Sequence, residues 1–289
     1  MGVALVTPFQ RNGEVDYPVL SRLIDFHLQN GTDYLVVLGT TAETPTLTAS
    51  EQKEITQFVI EKVKSRIPIV LGISGNNTKA VVERLKTESL EGVDAVLSVV
   101  PYYNKPSQEG MYLHYKAIAQ ATLLPVVLYN VPGRTGVNMT VETTLRLAHD
   151  FENIVAIKEA SGNLVQISSI VKHKPVDFQV ISGDDAITLP LMALGSVGVI
   201  SVIGNALPKE FSRMIHLALS GDYANALSLH NHFLELYELL FVDGSPAGVK
   251  SLLNIMGYIE NELRLPLAPV RTATNEKIRN AWKELREIL

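Results

Sequence analysis

The 289-residue sequence has no cysteine and only one tryptophan. Without cysteine there can be no disulfide, no thiolate metal site and no cysteine nucleophile. No uninterrupted apolar run approaches the ~18 residues that a membrane-spanning helix needs. The opening stretch, Met1-Gly2-Val3-Ala4-Leu5, enters a strand-like segment with no basic n-region or cleavage site, so a cytoplasmic protein is expected. Cationic residues are outnumbered: 25 Lys and Arg against 30 Asp and Glu leave a formal charge of −5. That balance disfavours nonspecific contact with nucleic acid. The seven histidines form no HExxH pattern, and no nucleotide or flavin fingerprint is present.

What remains is ample for a large core: 46% of residues are hydrophobic. Short apolar runs at 3–7, 34–38, 68–73, 95–100, 125–131, 154–158, 179–182 and 198–203 read as strands. They are rich in Val, Ile and Leu without strict alternation, as parallel strands covered on both faces should be. Helical stripes lie between them. Leu20, Leu23, Ile24 and Leu28 end at Gly31, and Thr48 with Glu51 forms a capping box ahead of Ile55, Phe58, Val59 and Val63. Asn163 caps a helix bearing Ile167, Ile170 and Val171, and Phe211, Met214, Ile215 and Leu219 complete the series. Eight strand–helix repeats without a linker predict an α/β fold, a (β/α)8 TIM barrel over 1–221. Beyond it a small helical extension, 222–289, is expected, with Ser245-Pro246 opening one helix and Thr274 the last.

Chemistry in such a barrel gathers where strands end. Those ends carry Gly39-Thr40-Thr41-Ala42-Glu43, Pro101-Tyr102-Tyr103-Asn104, Tyr129-Asn130-Val131-Pro132-Gly133-Arg134, Lys158-Glu159-Ala160-Ser161-Gly162 and Gly183-Asp184-Asp185. Lys158 ends an apolar run, where burial favours the uncharged amine that attacks a ketone to form an imine. The alternative is a strand-end lysine that is solvated or paired with Glu159. Tyr129 and Tyr103 are phenols able to pass a proton through a partner hydroxyl such as that of Thr40. The competing reading is plain packing, and only one of Tyr102 and Tyr103 can face a given site. Successive N–H groups at Thr40 and Thr41 suit a carboxylate, or an ordinary turn. Arg134 follows a Pro-Gly turn and offers a bidentate fork, unless it is simply solvated. Asp184-Asp185 reads as a cap rather than a metal site, and Gly248-Val249-Lys250-Ser251 lacks the ending of a phosphate loop.

Three of these strings, Gly39–Glu43, Tyr129–Gly136 and Ile157–Gly162, closely resemble the signatures of the dihydrodipicolinate synthase family, in its order and spacing. The similarity runs from Ala4-Leu5-Val6-Thr7-Pro8 to Leu265-Pro266-Leu267-Ala268-Pro269. The resemblance implies a lysine-biosynthetic lyase that condenses pyruvate with aspartate 4-semialdehyde without a metal or other cofactor. It implies an imine on Lys158, a relay of Tyr129, Thr40 and Tyr103, and Tyr103 supplied across a subunit interface in a homodimer or homotetramer. Thr40 and Thr41 would hold the pyruvate carboxylate, Arg134 that of the semialdehyde, and Gly183 and Ile200 would present backbone oxygens near the lysine. Sugar-acid aldolases share the lysine and tyrosine but generally lack an arginine at the place of Arg134. A barrel that merely binds a small carboxylate is the reading from another class. Lysine-inhibited members use histidine and glutamate in an allosteric pocket. Here Asn76 and Tyr102 remain, while Ala49, Gln52 and Ala80 stand at the other positions, which implies weak or absent feedback.

Overall fold

A computed structural model describes residues 1–288. All eight expected strands form: β1 Gly2–Ala4, β2 Tyr34–Val37, β3 Ile69–Gly72, β4 Ala95–Val99, β5 Val126–Asn130, β6 Ile154–Glu159, β7 Gln179–Ser182 and β8 Ile200–Ser201. They lie in one sheet in the order β7-β6-β5-β4-β3-β2-β1-β8. A parallel bridge from Ser182 to Val199 joins β7 to the residue before β8. Parallel strands in sequence order, alternating with helices, give the (β/α)8 topology expected.

The first and last strands are shorter than their apolar runs. After Ala4 the Leu5 N–H still reaches the Val36 carbonyl at 3.0 Å, but the N–H of Val6 donates to Oδ1 of buried Asn205 at 3.0 Å instead of to a strand. After Ser201 the chain tightens into the 3-10 turn Ile203–Asn205, where Gly204 donates its N–H to Ser201 Oγ at 2.8 Å. Side-chain acceptors thus take over from the strand partner, which hydropathy alone does not register.

By density of contacts the chain divides into two compact units, Met1–Pro68 with Ser201–Leu289, and Ile69–Ile200. The first has β1 and β2 paired in parallel with Val3 opposite Leu35. Its core holds Phe9, Leu20, Ile24 and Leu35, each with at most 1% exposure. Phe211, Phe233 and Tyr237 meet edge to face there, with centroids 5.8–6.2 Å apart. The capping box of Thr48 and Glu51 is formed in full on Ala49–Val63. Three expectations need correcting. Leu219 ends its stripe 54% exposed, as the helix runs out at the surface. Pro246 is itself the cap of the helix Ala247–Ile255 rather than its first residue, and the last helix begins at Thr272 rather than Thr274.

In the second unit β3 to β7 pair successively in parallel. Val96, Leu128, Ile157, Met111 and Ile118 are buried to 1% or less. Each such side chain contributes on the order of 2 kcal/mol of burial. Asn163 caps the helix Leu164–His173, accepting from the Gln166 N–H at 3.0 Å. No helix among the described residues is long and apolar enough to cross a membrane.

Candidate active site

Lys158 is the fifth residue of β6 and lies opposite Tyr129 of β5 in the parallel register. Residues in register on neighbouring strands face the same way, so both side chains leave the sheet on one face. Lys158 is 5% exposed and Tyr129 6%. The Nζ atom sits 4.3 Å from the centroid of the phenol ring. Gly183, just past β7, makes room for the lysine: a Cβ there would come within 2.8 Å of Ala160 Cβ and 3.0 Å of Lys158 Cε. Ile200 is buried in β8.

The ion pair between Lys158 and Glu159, left open by the sequence, does not form. Alternation along β6 sends Glu159 to the other face. There its Oε1 accepts from Asn130 Nδ2 at 2.7 Å and Gln166 Nε2 at 3.0 Å, and its Oε2 from Ser161. Lys158 therefore has no carboxylate partner on its own strand.

Four further candidates of this unit lie beyond strand ends. Arg134 lies exposed in the short helix Pro132–Thr135, which Gly136 ends at φ 72°. Tyr103 is 88% exposed and left-handed at φ 70°, whereas Tyr102 is 39% exposed. Tyr103 thus projects further from the surface than Tyr102. Asn76 donates its side-chain amide to the Tyr102 carbonyl at 3.2 Å, and Asn104 donates back to the Asn76 carbonyl at 3.1 Å. Asn76 and Tyr102 are thus brought together.

In the other unit, Thr40–Ala42 form a 3-10 turn after β2. Such a turn leaves its first N–H groups without an internal partner, as a carboxylate nest requires. Non-glycine residues in the left-handed region flank it, Leu38 at φ 56° and Glu43 at φ 57°. That conformation costs on the order of 1–3 kcal/mol per residue and persists only where the surroundings impose it. Here they do. Thr7 Oγ1 donates to the Ala42 carbonyl at 2.8 Å, and Thr44 Oγ1 to that of Gly39 at 2.9 Å. Glu43, fully buried, forms an ion pair with equally buried Lys250 and accepts the Arg264 N–H at 3.1 Å. Burial pushes the Lys250 ammonium down to about 8, against the pull of the Glu43 carboxylate. Its Nζ also donates to the Glu262 carbonyl at 2.9 Å and lies 4.2 Å from the Phe9 ring centroid. Arg264 grips Glu51 with both guanidinium arms, and that hydrogen bonding holds the Glu51 carboxyl at about 2.

The sequence pointed to Lys158 and Tyr129, which the register sets side by side, but not to the buried polar contacts around them. The Gly248-Val249-Lys250-Ser251 string is helical, and its lysine is an internal cation. A lysine among Val249, Leu252 and Leu253 was the available signal, although nothing in the spacing names Glu43 as its partner. Asp184 behaves as the expected cap, accepting the Ala186 N–H at 3.0 Å. No group of three or more potential metal ligands occurs among the described residues.

The model of the dihydrodipicolinate synthetase family matches residues 1–285. The chain belongs to that family. A family relative from Phocaeicola vulgatus, a 4-hydroxy-tetrahydrodipicolinate synthase, is 68% identical over 286 residues, 99% of this chain and 96% of the relative. Another, from Parabacteroides distasonis, bears the same name and is 67% identical over 285 residues with the same coverage. The crystal structure of dihydrodipicolinate synthase from Aquifex aeolicus superposes with a TM-score of 0.95 at 44% identity, covering 99% of this chain and 97% of that one.

Proposed function

We propose that this chain is a 4-hydroxy-tetrahydrodipicolinate synthase, a lyase of the diaminopimelate route to lysine that condenses pyruvate with L-aspartate 4-semialdehyde. The observation that carries the reading is Lys158: buried, free of any carboxylate on its strand, and packed on Tyr129 beside a glycine that its side chain requires. A lysine so placed has no carboxylate on its strand to pair with, and an imine-forming amine needs this freedom.

In the proposed reaction the Lys158 amine attacks the pyruvate carbonyl and water leaves, giving an iminium. The iminium withdraws electrons, so a methyl proton departs and an enamine forms. Tyr129, Thr40 and Tyr103 carry the protons. The enamine carbon attacks the semialdehyde's aldehyde, and the aldehyde oxygen takes a proton. The semialdehyde's amino group then closes on the imine carbon and expels Lys158 as the free amine. Thr40 and Thr41 hold the pyruvate carboxylate through the turn after β2. Arg134 takes the semialdehyde's carboxylate, for which its exposed guanidinium is available. Gly183 and Ile200 contribute backbone oxygens near the lysine.

The reading extends to a cytoplasmic enzyme with a catalytic barrel over 1–221 and a helical extension over 222–289. It assembles as a homodimer or homotetramer: a tyrosine that is 88% exposed and left-handed suits service to a neighbouring copy. Asn76 and Tyr102 mark a residual allosteric pocket. Turnover measured with aspartate semialdehyde and with a panel of sugar aldehydes tests the substrate. Preference for the semialdehyde, lost in Arg134→Ala while the pyruvate imine still forms, is expected. Faster turnover with a sugar aldehyde would make the protein a sugar-acid aldolase instead.

A further inference from the structure

One position beyond the Lys158–Tyr129 pair, the register sets Glu159 of β6 opposite Asn130 of β5. These two face away from the lysine and are fully buried, as is most of Gln166. A buried carboxyl without a cation is costly unless its oxygens are met by donors. Glu159 is met by four. Asn130 and Gln166 donate to Oε1, while the Ser161 N–H at 3.1 Å and hydroxyl at 2.6 Å donate to Oε2.

The same amides reach the Arg134 loop. Asn130 Nδ2 lies 2.8 Å from Asn138 Oδ1, and its Oδ1 accepts the Met139 N–H at 3.0 Å. Asn138 Nδ2 donates to Gln166 Oε1 at 2.8 Å, and Gln166 Nε2 lies 3.2 Å from the Met139 carbonyl. The network thus ties three segments together: the end of β5 with Tyr129, the end of β6 with Lys158, and the segment 131–139 with Arg134. Apolar packing would bury these positions more cheaply, so the polar cluster calls for a reason beyond stability.

We propose that Glu159, with Asn130 and Gln166, forms a positioning network for the imine-forming site. It fixes the angular placement of Lys158 and Tyr129 and the distance of the Arg134 loop from them. These residues touch no substrate, since they occupy the opposite face of the strands. The proposal rests on the imine reading above. Misplacing reacting groups by about 1 Å can cost on the order of a hundredfold in rate. The pyruvate carboxylate is assigned to the Thr40–Thr41 turn, which the network does not touch. Disturbing the network should therefore lower kcat and leave the KM for pyruvate little changed.

The test compares wild type, Glu159→Gln, Gln166→Leu and the double variant Asn130→Asp/Glu159→Gln, each well below its melting temperature. Single-turnover imine formation with pyruvate, kcat and KM are measured per folded site. Glu159→Gln places an NH2 where two donors now point, and should slow imine formation and kcat on the order of tenfold or more. Asn130→Asp in that background reverses donor and acceptor across the 2.7 Å contact, and should restore part of the rate. A folded Glu159→Gln protein with wild-type imine formation and kcat would overturn the proposal, as would a loss with no recovery in the double variant. If Glu159→Gln does not fold, Gln166→Leu decides by the same rates. Borohydride trapping of pyruvate on wild-type Lys158 checks the underlying reading separately, since its failure would leave no imine to position.

Discussion

Replacing Lys250 by methionine removes the cation from a pair in which both side chains are completely buried. The chain volume is nearly kept, so the change acts on charge rather than packing. Glu43 would retain the Arg264 N–H on Oε2 but lose its cation on Oε1. Stranding one member of a buried pair costs about 3–5 kcal/mol. Against a total stability on the order of 5–15 kcal/mol, that is a large share. At ~2–4 °C per kcal/mol for a chain of this class, the melting temperature should fall by roughly 10 °C. Glu43→Gln alone leaves Lys250 with a neutral partner and the Glu262 carbonyl, a smaller loss. The double variant Glu43→Gln/Lys250→Met should recover at least half of the Lys250→Met deficit, because no buried charge is left unpaired. Thermal and urea melts of the three variants and the wild type give the coupling directly. A Lys250→Met protein within ~1 kcal/mol of wild type, or a double variant whose loss is the sum of the singles, would refute the argument.

Gly183→Ala inserts a methyl 2.8 Å from Ala160 Cβ and 3.0 Å from Lys158 Cε; kcat should drop on the order of a hundredfold with a much smaller loss of stability, and steady-state kinetics beside a melt will separate the two. His27 is fully buried, its Nε2 lacks a partner, and burial holds its imidazole down to about 3. Below an unfolded value of ~6.5 only the unfolded chain takes that proton, so the stability this histidine gives is complete above that pH and falls towards pH 3. Urea melts should show roughly 2 kcal/mol lost between pH 7 and 5 from this group, a difference that His27→Leu abolishes; an unchanged difference in the variant would exclude the mechanism. Free lysine at submillimolar concentration should not inhibit in a coupled assay, because Ala80 supplies no carboxylate and Gln52 already donates to the Thr44 and Leu47 carbonyls. Inhibition at that level would contradict the reading of the pocket.

Strand positions were legible because buried parallel strands write themselves as unbroken apolar runs, and Ile154 to Ile157 is one of them. Lys158 and Tyr129 could be picked out for the same reason: a polar side chain at the end of such a run stands out. Ends of strands were less legible where a side chain replaced the ladder partner, as Asn205 does for Val6. Hidden most deeply were the supports. Glu159 and Asn130 are 29 residues apart, and Glu43 and Lys250 are separated by most of the chain. Polar residues buried across such distances follow no periodicity, and only folding reveals which donor meets which acceptor.

The central claim is that Lys158 carries pyruvate as an imine. Borohydride reduction of the protein with pyruvate, followed by peptide mass mapping, tests it directly. A single reduced pyruvate adduct on the peptide holding Lys158, absent from Lys158→Ala, is the result expected. A wild-type protein that turns over its substrates yet gains no adduct, or gains it on another lysine, would contradict the account.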